Sequence, residues 1–140
     1  MDGDRATRAS GAARPDGDVS AQRLAPRRPT VLVVDDVAAN RELLESYLAD
    51  LGCDVRQARD GFEALAAVDE AEPDLVLLDI AMPGLDGLAV CARLKAHPSR
   101  RLIPIVLITA ADDHETKLRG RAAGADDFIT RPADASELRA

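Results

Sequence analysis

Three aspartates of this 140-residue chain stand where carboxylates can do chemistry together. Asp35 and Asp36 close the apolar run Val31-Leu32-Val33-Val34, and Asp79 closes Leu75-Val76-Leu77-Leu78. Four apolar residues in a row read as a short strand covered on both faces, as in a parallel sheet. Open α/β sheets place their ligands at the carboxyl ends of their strands. The three carboxylates then share one sheet edge, where they repel one another unless protons or a cation relieve the charge. Such oxygen donors suit Mg2+, which keeps several waters and takes one or two carboxylates together with phosphate oxygens. With that cation bound, one carboxylate can attack a phosphoryl group and form an acyl phosphate. The metal and a fixed cationic side chain would neutralise the phosphoryl oxygens. Two more polar residues end later runs: Thr109, a hydroxyl able to donate a hydrogen bond to those oxygens, and Arg131, a cation.

The elements that must position these residues follow from periodicity. Strands are expected over 31–34, 54–58, 75–78, 105–108 and 128–130. Helices are expected between them. The first, over 40–51, turns Leu43, Leu44, Tyr47, Leu48 and Leu51 to one face and stops at Gly52 in the C′ position. The second, over 61–70, uses Phe62, Leu65 and Ala66. The third, over 88–95, turns Leu88, Cys91 and Leu94 inward, and the fourth, over 115–123, closes at Gly124. Asp134-x-x-Glu137 reads as a capping box opening a last helix. Only eight residues follow Pro132, fewer than the roughly 10 needed to cross back over a sheet, so that final helix is expected to be incomplete. Strands alternating with helices of this length imply right-handed βαβ units, a doubly wound parallel sheet and the α/β class.

Composition narrows the possibilities. The chain is 46% apolar but only 2% aromatic, so its core must be built from Leu, Val, Ile and Ala. Residues 1–29 carry six Arg and four Asp with no hydrophobic period and read as a disordered leader, with residues 30–140 as one domain. A net charge of −7 argues against nucleic acid as a direct partner. Cys53 and Cys91 form no Cys-x-x-Cys pair, and no His stands at ligand spacing. Both thiols read as reduced and buried in a cytoplasmic protein. No apolar run reaches 18 residues and no signal sequence opens the chain, so no membrane contact is expected.

The ordered set of motifs resembles the receiver domain of two-component response regulators. The matching pieces are Asp35-Asp36 after an apolar strand, Asp79 with Met82-Pro83 and Gly87, Val106-Leu107-Ile108-Thr109-Ala110, and Gly124-Ala125-Asp126-Asp127-Phe128. They span about residues 30–138. The resemblance implies a flavodoxin-like (βα)5 fold with sheet order 2-1-3-4-5. It implies that Asp79 is the phospho-acceptor, taking phosphate from a phosphohistidine of a histidine kinase or phosphotransfer protein. It further implies Mg2+ held directly by Asp36, through water by Asp35, and by Asp79 and the backbone carbonyl of Ala81. Thr109 resembles the switch hydroxyl and Phe128 the aromatic that follows it inward. The family's output or partner docking commonly uses the fourth helix and fifth strand, and a homodimer stays open.

One position departs from the pattern. The family has Lys before the proline that follows the fifth strand, whereas this chain has Arg131-Pro132. Arginine is a planar fork rather than a compact ammonium. It can grip a phosphate through two hydrogen bonds, or pair beforehand with Asp79. The competing reading is therefore a phosphate-independent interaction module of the same fold. Arginine outnumbers lysine 16 to 2 here, so simple drift with charge retained is the bland account. The bland account of Asp35 and Asp36 is helix N-capping. A true enzyme, such as a phosphatase working through an aspartyl phosphate, wants a second carboxylate two residues beyond the nucleophile; that place is Ala81, so no enzyme is expected.

Overall fold

The computed structural model describes residues 27–109 and 114–131. The leader up to residue 26, Asp112 and Asp113 before the fourth helix, and the last helix expected from Asp134 lie outside the described residues. Within them the chain runs β1 (Thr30–Val34), α1 (Ala38–Asp50), β2 (Asp54–Ala58), α2 (Gly61–Glu70), β3 (Leu75–Asp79), α3 (Gly87–Ala96), β4 (Ile105–Thr109), α4 (His114–Ala123) and β5 (Asp127–Thr130). All five strands are parallel in the order β2-β1-β3-β4-β5, the order expected from the motifs. The order reverses between β1 and β3, the two strands that end on aspartate, which is where a doubly wound sheet opens its crevice.

The unbroken apolar runs have a simple cause. Successive strand residues point to opposite faces, and here both faces are covered. Leu32, Val34, Val76, Leu78, Ile105 and Leu107 join one core with Ala64 and Val68 of α2 and Val90, Cys91 and Leu94 of α3. Val31, Val33, Leu77 and Ile108 face the other way, against Leu44 and Leu48 of α1. Each such side chain fully buried stabilises the fold by about 1.5–3 kcal/mol.

The helices match the expectation in place and differ in which face they bury. In α1 Leu44 and Leu48 pack against the sheet and Leu43 is half-buried beside them; Tyr47 and Leu51 are 44% and 77% exposed. The apolar arc is wider than the strip of sheet it meets. In α2 the buried residues are Gly61, Ala64 and Val68, while Phe62 and Ala66 point out. The helix lies close to its neighbours, and small residues let it. Cys91 and Leu94 of α3 are inside as expected, joined by Gly87 and Val90; Leu88 is half-buried. Cys91 is buried and Cys53 half-buried, both as free thiols.

Local chemistry sets the ends. Asp60 accepts the Glu63 N–H and Asp86 the Ala89 N–H, capping α2 and α3. Gly52 ends α1 at φ 88°, where its N–H reaches Ala49 O and the Cys53 N–H reaches Leu48 O.

Candidate functional site

β1 and β3 deliver Asp35, Asp36 and Asp79 to one point: carboxylate oxygens of all three lie within 4.8 Å of one another. Asp35 is fully buried and Asp79 is 3% exposed, while Asp36 opens to solvent. A fully buried carboxylate needs partners. Asp35 Oδ1 accepts the Val37 N–H at 2.9 Å and Asn40 Nδ2 at 3.4 Å, and its Oδ2 accepts Arg131 Nη2. Neither Asp35 nor Asp36 caps α1; the capping position is Val37, which contributes no side-chain bond. The bland reading of the acidic pair therefore fails.

Asp79 accepts the Ala81 N–H at 3.2 Å. Its carboxyl is pushed up from 3.8 to about 6, first by burial and then by the charge of Asp35. Arg131 and the Ala81 N–H pull the other way without winning. Gly87 makes the approach of α3 possible. A Cβ there would collide with the backbone carbonyl of Asp79, and the Gly87 N–H instead bonds Ile80 O at 3.0 Å.

Arg131 and Thr109 come from the neighbouring strands. Thr109 ends β4 in register with Thr130 and is buried. The Arg131 N–H donates to Thr109 O at 2.6 Å, which brings the guanidinium over the carboxylates. The expected pairing of Arg131 with Asp79 is the weaker of its two contacts: Nη1 lies 3.8 Å from Asp79 Oδ1, while Nη2 pairs directly with Asp35. Thus all four acidic and cationic residues singled out in the sequence, with Thr109, meet at the C-terminal sheet edge. Phe128 lies two residues before Thr130, in register with Leu107, half-buried against the main core.

Two site residues escaped the sequence reading. Asn40 reaches the Asp35 carboxylate, and Arg41 Nη1 donates to Asp35 O at 2.7 Å while its Nε holds Gln57 Oε1 at 2.9 Å. Both sit in the first turn of α1, on the side turned to the site. Periodicity marks apolar faces and gives no signal for which polar residues point at a neighbouring strand end.

The donor set fits a hard divalent cation. It consists of carboxylate oxygens, two from buried residues, and it holds more negative charge than Arg131 balances. No helix among the described residues is long and apolar enough to cross a membrane.

Comparison with known proteins agrees with this geometry. Residues 31–140 match the family model of the response regulator receiver domain. The chain is 48% identical over 104 residues to the response regulator PleD of Caulobacter vibrioides, covering 74% of this chain and 23% of PleD. It is 37% identical over 108 residues to the protein PilG of Pseudomonas aeruginosa, covering 77% of this chain and 80% of PilG. Among solved structures it resembles the chemotaxis protein CheY4 of Vibrio cholerae, with TM-score 0.73 and 30% identity over 81% of this chain and 94% of that one. A response regulator of Chloroflexus aurantiacus matches at TM-score 0.73 and 37% identity, over 81% of this chain and 93% of that one. The chain spans about a quarter of the length of PleD. From fold, site and relatives together, it belongs to the response regulator receiver domain family of two-component signalling.

Proposed function

We propose that this domain accepts a phosphoryl group on Asp79 from the phosphohistidine of a histidine kinase or phosphotransfer protein, and that the phosphate switches contacts to an output domain or partner. The observation that carries the reading is the meeting of Asp35, Asp36 and Asp79 within 4.8 Å at the crevice between β1 and β3. In the step, an Asp79 carboxylate oxygen attacks phosphorus. The new P–O bond forms as the P–N bond of the donor breaks, and its electron pair stays on the imidazole nitrogen, which takes a proton from water. Mg2+ held by Asp35, Asp36, Asp79 and the Ala81 carbonyl would supply charge neutralisation for the phosphoryl oxygens. Arg131 adds a fixed positive charge, and Thr109 offers its hydroxyl on the adjacent strand end. The phosphate would then bias a two-state equilibrium read out along α4 and β5. The domain is a signalling module rather than a turnover catalyst.

A second reading has its own observation. Arg131 already pairs with Asp35 and lies 3.8 Å from Asp79, so the crevice carries an internal counter-ion that favours a phosphate-independent module. Intact-mass measurement after acetyl phosphate with Mg2+ separates the two. One added phosphoryl group, lost in Asp79→Asn and in EDTA, is the expected result. No modification, or modification that survives either control, sinks the phospho-acceptor reading.

A further inference from the structure

The Phe128 ring lies against a residue with no side chain. Gly120 is the only residue of α4 that is buried. A Cβ built there would stand 2.5 Å from Phe128 Cε1, 2.9 Å from Phe128 Cζ and 2.8 Å from Leu107 Cδ1. Real Cβ atoms do not approach that closely, so the ring occupies the space an alanine methyl would need. Glycine costs helix stability relative to alanine in the middle of a helix, and this one sits four residues before the helix closes at Gly124. The Arg121 guanidinium, the next residue along, lies 5.4 Å from the ring centroid, within cation–π range. Leu107 and Phe128 are register partners on β4 and β5, and Thr109 and Thr130 are the next partners on the same face of the sheet. The ring is therefore held between α4 on one side and the strand that carries the switch hydroxyl on the other.

We propose that Gly120 is the positioning residue for Phe128: it forms a seat that admits the ring and ties the ring's position to that of α4. Swinging the ring out leaves a void at Gly120, which α4 must close by shifting toward β4. Moving α4 inward expels the ring. Ring and helix therefore move together. The seat stands on contacts alone. Its use as a transmission between Thr109 and the α4 surface rests on the receiver reading above.

Two measurements test it. The first is a thermal-melt cycle of the wild type, Gly120→Ala, Phe128→Ala and the double variant. Gly120→Ala lowers the midpoint when Phe128 is present and lowers it clearly less when Phe128 is alanine, because the added methyl then meets only the flexible end of Leu107. An equal change in both backgrounds overturns the seat. The second uses the chain labelled with 4-fluorophenylalanine, which gives two resonances because there are two phenylalanines, Phe62 and Phe128. Phe62 is 63% exposed and serves as the internal reference. A soluble gadolinium chelate broadens the Phe128 signal several-fold less than that of Phe62 in the wild type, and about equally in Gly120→Ala. A Phe128 signal that stays protected and unshifted in folded Gly120→Ala overturns the proposal. Adding Mg2+ and fluoroberyllate moves the wild-type Phe128 signal and moves the Gly120→Ala signal at least threefold less; equal responses overturn the transmission. Failure of acetyl phosphate to modify Asp79, read by mass on the same wild-type sample, counts against the receiver chemistry and not against the seat.

Discussion

Asp79 holds its proton more tightly in the fold than in an unfolded chain, because burial and then Asp35 oppose its charge. The sign follows: a folded value of about 6 above 3.8 gives stability that is full below about pH 4 and is lost as pH rises through 6. Without divalent metal, Asp79→Asn should therefore stabilise the protein at pH 7.5, by about 1–3 kcal/mol at 1.36 kcal/mol per pH unit. The gain should vanish near pH 4 and shrink when Mg2+ is added, as denaturant titrations at each pH would show. An Asn variant less stable than wild type at pH 7.5 would contradict the charge balance. Arg131 presents a second trial. On the proposed reading, its pairing with Asp35 and its reach toward Asp79 would stabilise the unphosphorylated site and restrain the nucleophile. Arg131→Lys should speed phosphorylation by acetyl phosphate about tenfold, or about 1.4 kcal/mol in the barrier, at fixed Mg2+. A slower or unchanged rate would show the arginine to be neutral or favourable, and would remove the main support of the phosphate-independent reading.

The elements are tied at the edge of the sheet opposite the site. Lys95 Nζ, near the end of α3, donates to Arg101 O at 2.9 Å, Ile103 O at 2.8 Å and Asp126 Oδ2 at 2.8 Å. Asp126 also accepts the Ile105 N–H at 2.8 Å, so one lysine joins α3, the start of β4 and the entrance to β5. Lys95→Met keeps the aliphatic stem and removes the ammonium. With three acceptors losing a charged donor, the loss should be about 2 kcal/mol by chemical denaturation. The Asp126 carboxyl lies below the usual value although partial burial opposes this, because Lys95 and the Ile105 N–H favour the charged form. A lowered carboxylate contributes stability above its ordinary pKa and loses it as pH falls through the lowered one. The penalty of Lys95→Met should accordingly shrink in strong acid, and a constant penalty from neutral pH to pH 2 would refute the coupling. Asp126 is half exposed, so solvent screens part of this contribution.

Across the whole molecule, burial sorts the two thiols. Cys91 is sealed in the main core and its thiol is pushed up to about 11, first by burial, whereas Cys53 lies half-exposed after α1. A disulfide-exchange reagent should titrate one thiol quickly in the native protein and two in guanidinium, with Cys53→Ala abolishing the fast phase. Two fast thiols would mean that the core opens readily. The same packing explains what could be read without it. Element order, parallel pairing and the acid-ended strands were legible because buried strands must be apolar throughout and chain breaks fall at Gly and Pro. Asp79, Asp35 and Asp36 were legible because each terminates such a run. The sequence could not say that Leu51, Tyr47 and Phe62 face solvent. A helix's apolar arc has a direction, but its usable width is set by the sheet beneath it. Nor could it say that Arg131 seeks Asp35 before Asp79, that Arg41 grips the end of β1, or that Gly120 makes room for Phe128. Those pairs are separated by up to 96 residues and depend on the strand register. Residue types and spacing along one chain determined which groups reach the sheet edge. Only tertiary packing, through register and helix approach, decided which of them touch.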